Sequence, residues 1–526
     1  MSKRNRCSVL ILELALVLAA VAVPHAAEWK LLQTPHFELY TTESAGAARE
    51  TLRFLENIYD FFDKFSQLTP DPPGRVRVVM FSSEKEFAPY RPGKLADAYY
   101  MPGMFRETIV LGDSTPQAQN TVIHEYTHLL VNQLGGDYPL WLNEGLAEFF
   151  ATFERTGKEV RIGRVSPGRL YVYRTDRPLS IARLLDITAL SPEFRSEDTI
   201  GMVYAEGWAL THMIMVGDRF RPKSSEFLRA VSTGSSAVEA FATVYGRTLN
   251  QIEGDLADHF RGGTIPLLLL TLTPFVPPAI ATVPITEVDA RVALAELTLG
   301  VRDARPAFDA IGSGATKSVA ELEARAEMAL RYGQIEEAKS HLNAAVQAGS
   351  ELPAVRTLAA AFEARAALQQ NAPDRAVRIL AGVQRPPRIA AFMYYEALAH
   401  ARIALTDYAL AVAAATSAKL AAKGAVESAA ATALATRARG PSEMQGVVSG
   451  RLKNMNCDGP QPVLEVTTAA GGLLKLVIDD RNNIAAPSTT TPQLSCGAQD
   501  RAIRVGYSFT DPPAGIDGRV RLIDLR

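Results

Sequence analysis

His124-Glu125-Tyr126-Thr127-His128, followed by Trp141-Leu142-Asn143-Glu144-Gly145-Leu146-Ala147-Glu148, is the part of this chain around which a fold must be built. In a helix, residues four apart lie one turn apart on one face, so His124 and His128 can aim imidazole nitrogens at one point. Glu125 sits on a neighbouring face, where a general base for an attacking water would stand. Glu144 and Glu148 repeat the four-residue step in a second helical segment, and either can supply a third donor. Two imidazoles, one carboxylate and an open fourth position suit a single zinc ion, which acidifies water and polarises a carbonyl. The glutamate that is not a ligand is then free to orient a coordinating imidazole. Burying an unpaired carboxylate is costly, so a metal or a hydrogen-bond donor is the natural reason for an acid at such a place. Five of the eight histidines, His25, His36, His259, His341 and His400, have no motif around them.

Upstream, residues 28–112 alternate between sheet and helix signals. Phe37–Thr41 and Val76–Phe81 read as strands, Ala47–Phe65 as an amphipathic helix, and Glu107–Leu111 as a further strand before Gly112. Thr115-Pro116 opens the motif helix, with threonine as cap and proline at the first helical position, and Gly135-Gly136 closes it. Residues 141–154, 198–216 and 249–260 read as helices. Residues 113–262 thus form a helical part completing a domain that begins at 28. The stretch 263–286 carries no charge and several prolines, and reads as an extended, partly buried linker.

Residues 287–440 are alanine-rich and helical. Ala324, Tyr332-Gly333, Ala338, Leu342 and Ala345 have the small-residue spacing of a tetratricopeptide-like helix pair, with later copies at Ala376/Leu380 and Ala409/Ala413. Such an array leaves a concave face free for a protein. Residues 441–526 change to short apolar runs separated by Gly, Asp, Asn and Pro, which predicts a small β-barrel or β-sandwich.

The motif stretches resemble the gluzincin metallopeptidases, in particular the M1-like, or peptidase MA-like, group, and bacterial proteins of the DUF1570 type share the pattern. The resemblance spans residues 28–260 and implies a thermolysin-like zincin domain. In gluzincins the glutamate of Asn-Glu-Gly is the metal ligand, which selects Glu144 beside His124 and His128 and leaves Glu148 as the neighbour of a coordinating imidazole. Glu125 is then the catalytic base. Val203-Tyr204-Ala205-Glu206-Gly207-Trp208 resembles the segment whose tyrosine steadies the oxyanion, which assigns that role to Tyr204, with Glu206 where the family often has lysine. His212, two turns on, is a packing residue or a neighbour of the site residues in this reading. The resemblance also implies that Glu107–Leu111 is a sheet edge to which an extended peptide adds. The spacing from His128 to Glu144 is shorter than in M1 aminopeptidases and no Gly-x-Met-Glu-Asn motif occurs, so an endopeptidase is the expectation.

The whole chain of 526 residues exceeds one core and predicts a multidomain α+β protein. A formal net charge of -2 and 21% charged residues exclude nucleic acid as a partner class. Lys3, Arg4 and Arg6 precede an apolar run broken only by Glu13, with Ala20-Val21-Ala22 or Ala26-Ala27 as cleavage site. Residues 1–27 therefore read as a secretory signal peptide, which predicts a periplasmic or secreted protein without an integral membrane span after cleavage. Cys7 precedes the apolar run and cannot be a lipoprotein's acylated cysteine. The mature chain keeps Cys457 and Cys496, which predict a disulfide in an oxidising compartment. The expectation is an exported zinc peptidase whose repeats recruit a protein substrate or partner. Its competitor is a non-catalytic cell-envelope scaffold that keeps the zincin fold.

Overall fold

A computed structural model describes residues 28–525 apart from 67–73, 94–95, 113–117, 135–137, 177, 262–263, 313–316, 470, 480–483, 485–493 and 510–511. The signal-peptide reading of 1–27, the Thr115-Pro116 start and the Gly135-Gly136 stop lie outside the described residues.

A six-stranded sheet organises the first half. Its strands are β1 (Lys30–Gln33), β2 (Phe37–Thr41), β3 (Val76–Met80), β4 (Ala98–Met101), β5 (Thr108–Leu111) and, arriving much later, β9 (Ala281–Val283). The order is β4-β5-β3-β2-β1-β9, with β2, β3 and β5 parallel and the outer strands antiparallel. Successive side chains point to opposite faces, and both faces are covered. Leu39, Val78 and Ile109 pack under α1 (Ala45–Ser66) and the motif helix α2 (Ala118–Leu134). Tyr40, Val79 and Val110 pack under Ala293 and Leu297 of α7 (Glu287–Val301), the first helix of the helical half. That half therefore shares a core with the sheet.

The expected edge is corrected here. Strand β5 is internal, paired to β3 and to β4, and the outer strand next to the motif helix is Ala98–Met101. Chain reversal at Pro102-Gly103 folds β4 back on β5; a Cβ on Gly103 would run into the Arg106 carbonyl. The helix expected over 141–154 stops earlier, as α3 (Leu140–Phe150), because β6 (Glu154–Thr156) and β7 (Glu159–Ile162) follow as a hairpin. Next come α4 (Pro167–Thr175), α5 (Ile200–Val216) and α6 (Leu249–Arg261). The charge-free stretch is extended, and two pieces of it are strands: β8 (Leu268–Thr271) pairs with β7, and β9 with β1.

Helices α8 (Val319–Arg331), α9 (Ile335–Gln347), α10 (Pro353–Gln369), α11 (Pro373–Ala381), α12 (Arg388–Ala404), α13 (Tyr408–Ala421) and α14 (Gly424–Ser442) stack through alanines. Ala324, Ala338, Ala345 and Ala376 are fully buried. The last copy is out of the expected register. Ala409 and Ala413 face solvent, and Ala411, Ala414, Ala415 and Ala418 make the contact. The chain ends in a closed barrel of β10 (Gly446–Asn456), β11 (Val463–Thr468), β12 (Leu473–Val477), β13 (Gly497–Ser508) and β14 (Gly518–Leu525), ordered β10-β11-β12-β14-β13. Cys457 and Cys496 are joined, with Cα atoms 5.9 Å apart. Among the described residues, no helix is long and apolar enough to cross a membrane.

One core residue carries a pH signature. Glu206 of α5 is 2% exposed, accepts a backbone hydrogen bond from Leu179, and has no partner at Oε2. Burial, with Glu253 adding to it, raises its pKa to about 8. The folded state thus keeps a proton that the unfolded chain releases, and stability declines as pH rises from the ordinary carboxylate range to about 8. Glu206→Gln removes that loss. Urea denaturation should show it near neutral in effect at pH 4 to 5 and stabilising by on the order of 2 kcal/mol at pH 8 to 9.

Candidate metal centre

Helix α2 is fixed in roll by Val122, Ile123, Tyr126 and Leu129, all buried against the sheet and α1. That leaves His124 and His128 turned toward α3. Trp141, Leu142, Leu146 and Phe149 anchor α3 in the same core, and Glu144 faces the histidine pair. The two Nε2 atoms stand 3.1 Å apart, and Glu144 Oε2 is 3.5 Å from each. The three donor atoms fit within 4.8 Å of one another. Glu144 Oε2 is buried and has no hydrogen-bond partner. An orphaned buried carboxylate oxygen facing two imidazole nitrogens is a donor set suited to a metal ion, so these residues fit one.

Asn143, one residue before Glu144, accepts from His128 Nδ1 at 2.9 Å. That bond holds a ring proton on Nδ1, so Nε2 is the nitrogen available for a ligand role. Glu148 takes a different place from Glu144. It lies 3.8 Å from His124 Nδ1, beyond hydrogen-bond reach, and is held by Arg169 of α4 at 2.6 Å.

Electrostatics tie the cluster together. Burial opposes a charged His128, yet Glu144 overrides it and raises the imidazole pKa to about 9. Burial likewise works against ionised Glu144, and the facing imidazoles outweigh it, lowering the carboxyl to about 2.

Glu125 accepts the backbone N–H of Tyr100, on the outer strand β4, at 2.7 Å. Tyr204 stands on α5 with the Arg169 guanidinium 4.9 Å from its ring centre. Burial, then the carboxylates of Glu144, Glu125 and Glu148, push its phenol well up, so the hydroxyl stays protonated. Helix α5 comes this near because it crosses α3 glycine to glycine. A Cβ on Gly207 would sit 2.8 Å from the Trp141 carbonyl, and one on Gly145 would collide with Thr211 and the Gly207 carbonyl. His212 is apart from the centre. It bonds Gly163 O and His259 Nε2, each at 2.8 Å, and burial lowers its pKa to about 4. A cavity of about 1560 Å³ opens beyond the other side of α2, between Phe62, Leu130 and Tyr138 and the array's Arg331 and Arg388; none of the three donors lines it.

Three participants were not read from the sequence. Asn143 belongs to the segment that carries Glu144, but nothing in its spacing marks a hydrogen bond to His128. Tyr100 acts through its main chain, which has no sequence signature. Arg169 is brought in by a helix that periodicity did not reveal.

The molecule is a multidomain α+β protein with a candidate metal-chelating triad of two histidines and one glutamate. Residues 118–236, spanning all three donors and Tyr204, match the family model described as "Protein of unknown function (DUF1570)". No curated protein matches the chain.

Two outcomes follow from this geometry. A divalent ion bound at Nε2 would displace the His128 proton, so calorimetry with zinc at pH 7 should find about one proton released per ion bound, with affinity rising about tenfold per pH unit until about pH 9. Gly145→Ala forces α3 and α5 apart and should destabilise the protein by about 1–3 kcal/mol in denaturant melts, with weaker zinc binding alongside.

Proposed function

We propose that the region from residue 28 to 262 is a gluzincin-type zinc endopeptidase, exported to the periplasm or the exterior, that hydrolyses peptide bonds in a peptide or protein substrate. The observation that carries this reading is the convergence of His124, His128 and Glu144 on one point, with an orphaned Glu144 oxygen and Glu125 one residue away. One zinc ion held there would supply Lewis acidity to the scissile carbonyl and lower the pKa of water. Glu125 is positioned by its helix and by Tyr100 N–H, and in this reading it accepts the proton of the attacking water and passes it to the leaving amine. Tyr204, kept protonated by its surroundings, donates to the oxyanion. Among the described residues no strand pairs with the outer side of β4, which suits an extended substrate pairing along it beside the Tyr100–Glu125 contact. Helices α8–α14 present surface to a protein substrate or partner.

A second reading has its own observation. The Tyr100 N–H already occupies Glu125 Oε2, as suits a carboxylate kept for structure in a non-catalytic scaffold of the cell envelope.

Metal analysis and peptide-library cleavage on the parent, Glu125→Gln and Tyr204→Phe separate the two. The peptidase reading expects one zinc in all three. It expects kcat reduced about 10²–10⁴-fold in Glu125→Gln and about 10²–10³-fold in Tyr204→Phe. One zinc with no cleavage by the parent favours the scaffold, and a folded parent that takes up no zinc removes the centre.

A further inference from the structure

The tip of the β4–β5 hairpin, Pro102-Gly103-Met104-Phe105-Arg106, leaves the sheet and enters the helical array. Phe105 is 1% exposed, and its apolar cluster belongs to the array: Leu322 and Ala326 of α8, Leu342 of α9, Leu358 and Phe362 of α10. The backbone is gripped as well. Met104 N–H donates to Glu327 of α8 at 3.0 Å, and Arg331 of α8 donates to Pro102 O at 3.2 Å. Behind the aromatic, Arg106 pairs with Glu323 of α8 and reaches Glu296 of α7 at 3.4 Å; Ser350 holds the other Glu323 oxygen at 2.5 Å. A buried aromatic, two main-chain bonds and a following cation on acids are the elements by which a groove recognises a peptide in extended form.

The gripped segment begins two residues after Tyr100, whose N–H is on Glu125. Strand β4 is four residues long and, among the described residues, pairs with a strand on one side only; Ala98 and Met101 are buried, and the Tyr100 hydroxyl donates to Glu107 and accepts from Asn132, so the tip contact adds a hold at its far end.

We propose that the face of α8–α10 is a peptide-binding groove whose resident ligand is the chain's own hairpin tip, and that this cis contact clamps β4 against Glu125. Phe105 and Arg331 are positioning residues that act through β4. This part of the array is thereby filled, so a partner reaches it by presenting the same chemistry, an aromatic followed by a cation, and displacing the tip. Only the catalytic consequence rests on reading Glu125 as a base; the clamp itself is a statement about residues 98–106.

Hydrogen–deuterium exchange on the full chain tests it without metal or substrate. Phe105→Ala should speed exchange of the 98–104 amides about tenfold or more, leaving β2, β3 and α2 as protected as in the parent. Phe105→Leu refills the cluster and should restore most of the protection. Arg331→Ala keeps the apolar cluster whole and should give a smaller acceleration in the same segment, so it decides the matter if Phe105→Ala fails to fold. Parent-like exchange at 98–104 in folded Phe105→Ala, or in Arg331→Ala where that variant must serve, overturns the clamp. Where the parent cleaves a peptide, Phe105→Ala should keep its zinc and lose about tenfold or more in kcat/KM, with Phe105→Leu recovering it. Absence of cleavage in the parent counts against the peptidase reading alone and leaves the exchange result standing.

Discussion

A carboxylate buried between two imidazoles is the constraint on which the first half of this protein depends. Glu144 gives up most of its hydration, and its Oε2 has no conventional donor to replace it. Such a group is tolerable only if positive charge, a proton or a cation, stands opposite. Every local feature serves that requirement. The buried face of α2 sets the roll that aims His124 and His128, Asn143 fixes the tautomer of one ring, and the Gly145–Gly207 crossing brings α5 and Tyr204 alongside. The glycines are explained by close approach: any side chain at either would separate two helices whose separation sets the site.

A second set of buried charges decides how the halves of the chain relate. Arg77 of β3 bonds Glu38 of β2 at 2.8 Å and pairs with Glu296 of α7, and Arg106 of the hairpin joins Glu296 to Glu323 of α8. Ion pairs this deep gain little net stability over apolar packing, but losing one partner leaves a charge stranded. Their effect is therefore to specify how α7 and α8 sit on the sheet. With α7 covering one sheet face and β9 completing its edge, the helical half is an integral wall of the fold.

The sequence was most legible where the hydrophobic period is regular and the chemistry sits in side chains. Helices α1, α2, α5 and α6, the five barrel strands and the three donors all have such signatures. It was least legible where main chain or tertiary pairing decides. Strand β4 is four residues with two tyrosines, and only its antiparallel return makes β5 internal. The third helix pair slipped because alanine is so frequent there that several registers fit equally well, and packing alone chose Ala411 over Ala409. Tyr100 touches Glu125 through an atom every residue but proline possesses, so no residue-type argument reaches it.

That last contact has a consequence for how the site works as a unit. The hydrogen bond from β4 to Glu125 joins the strand that would receive an extended peptide to the group that would move a proton. That backbone donor fixes where the free oxygen of Glu125 points. Any displacement of β4 therefore moves the donor that orients Glu125. The size of that displacement is set by how firmly the far end of the strand is held, and its far end is the hairpin whose Phe105 lies among α8, α9 and α10. A helical array built into the wall of the sheet and gripping its outermost strand is then coupled to the site through three residues of backbone, Met101, Pro102 and Gly103.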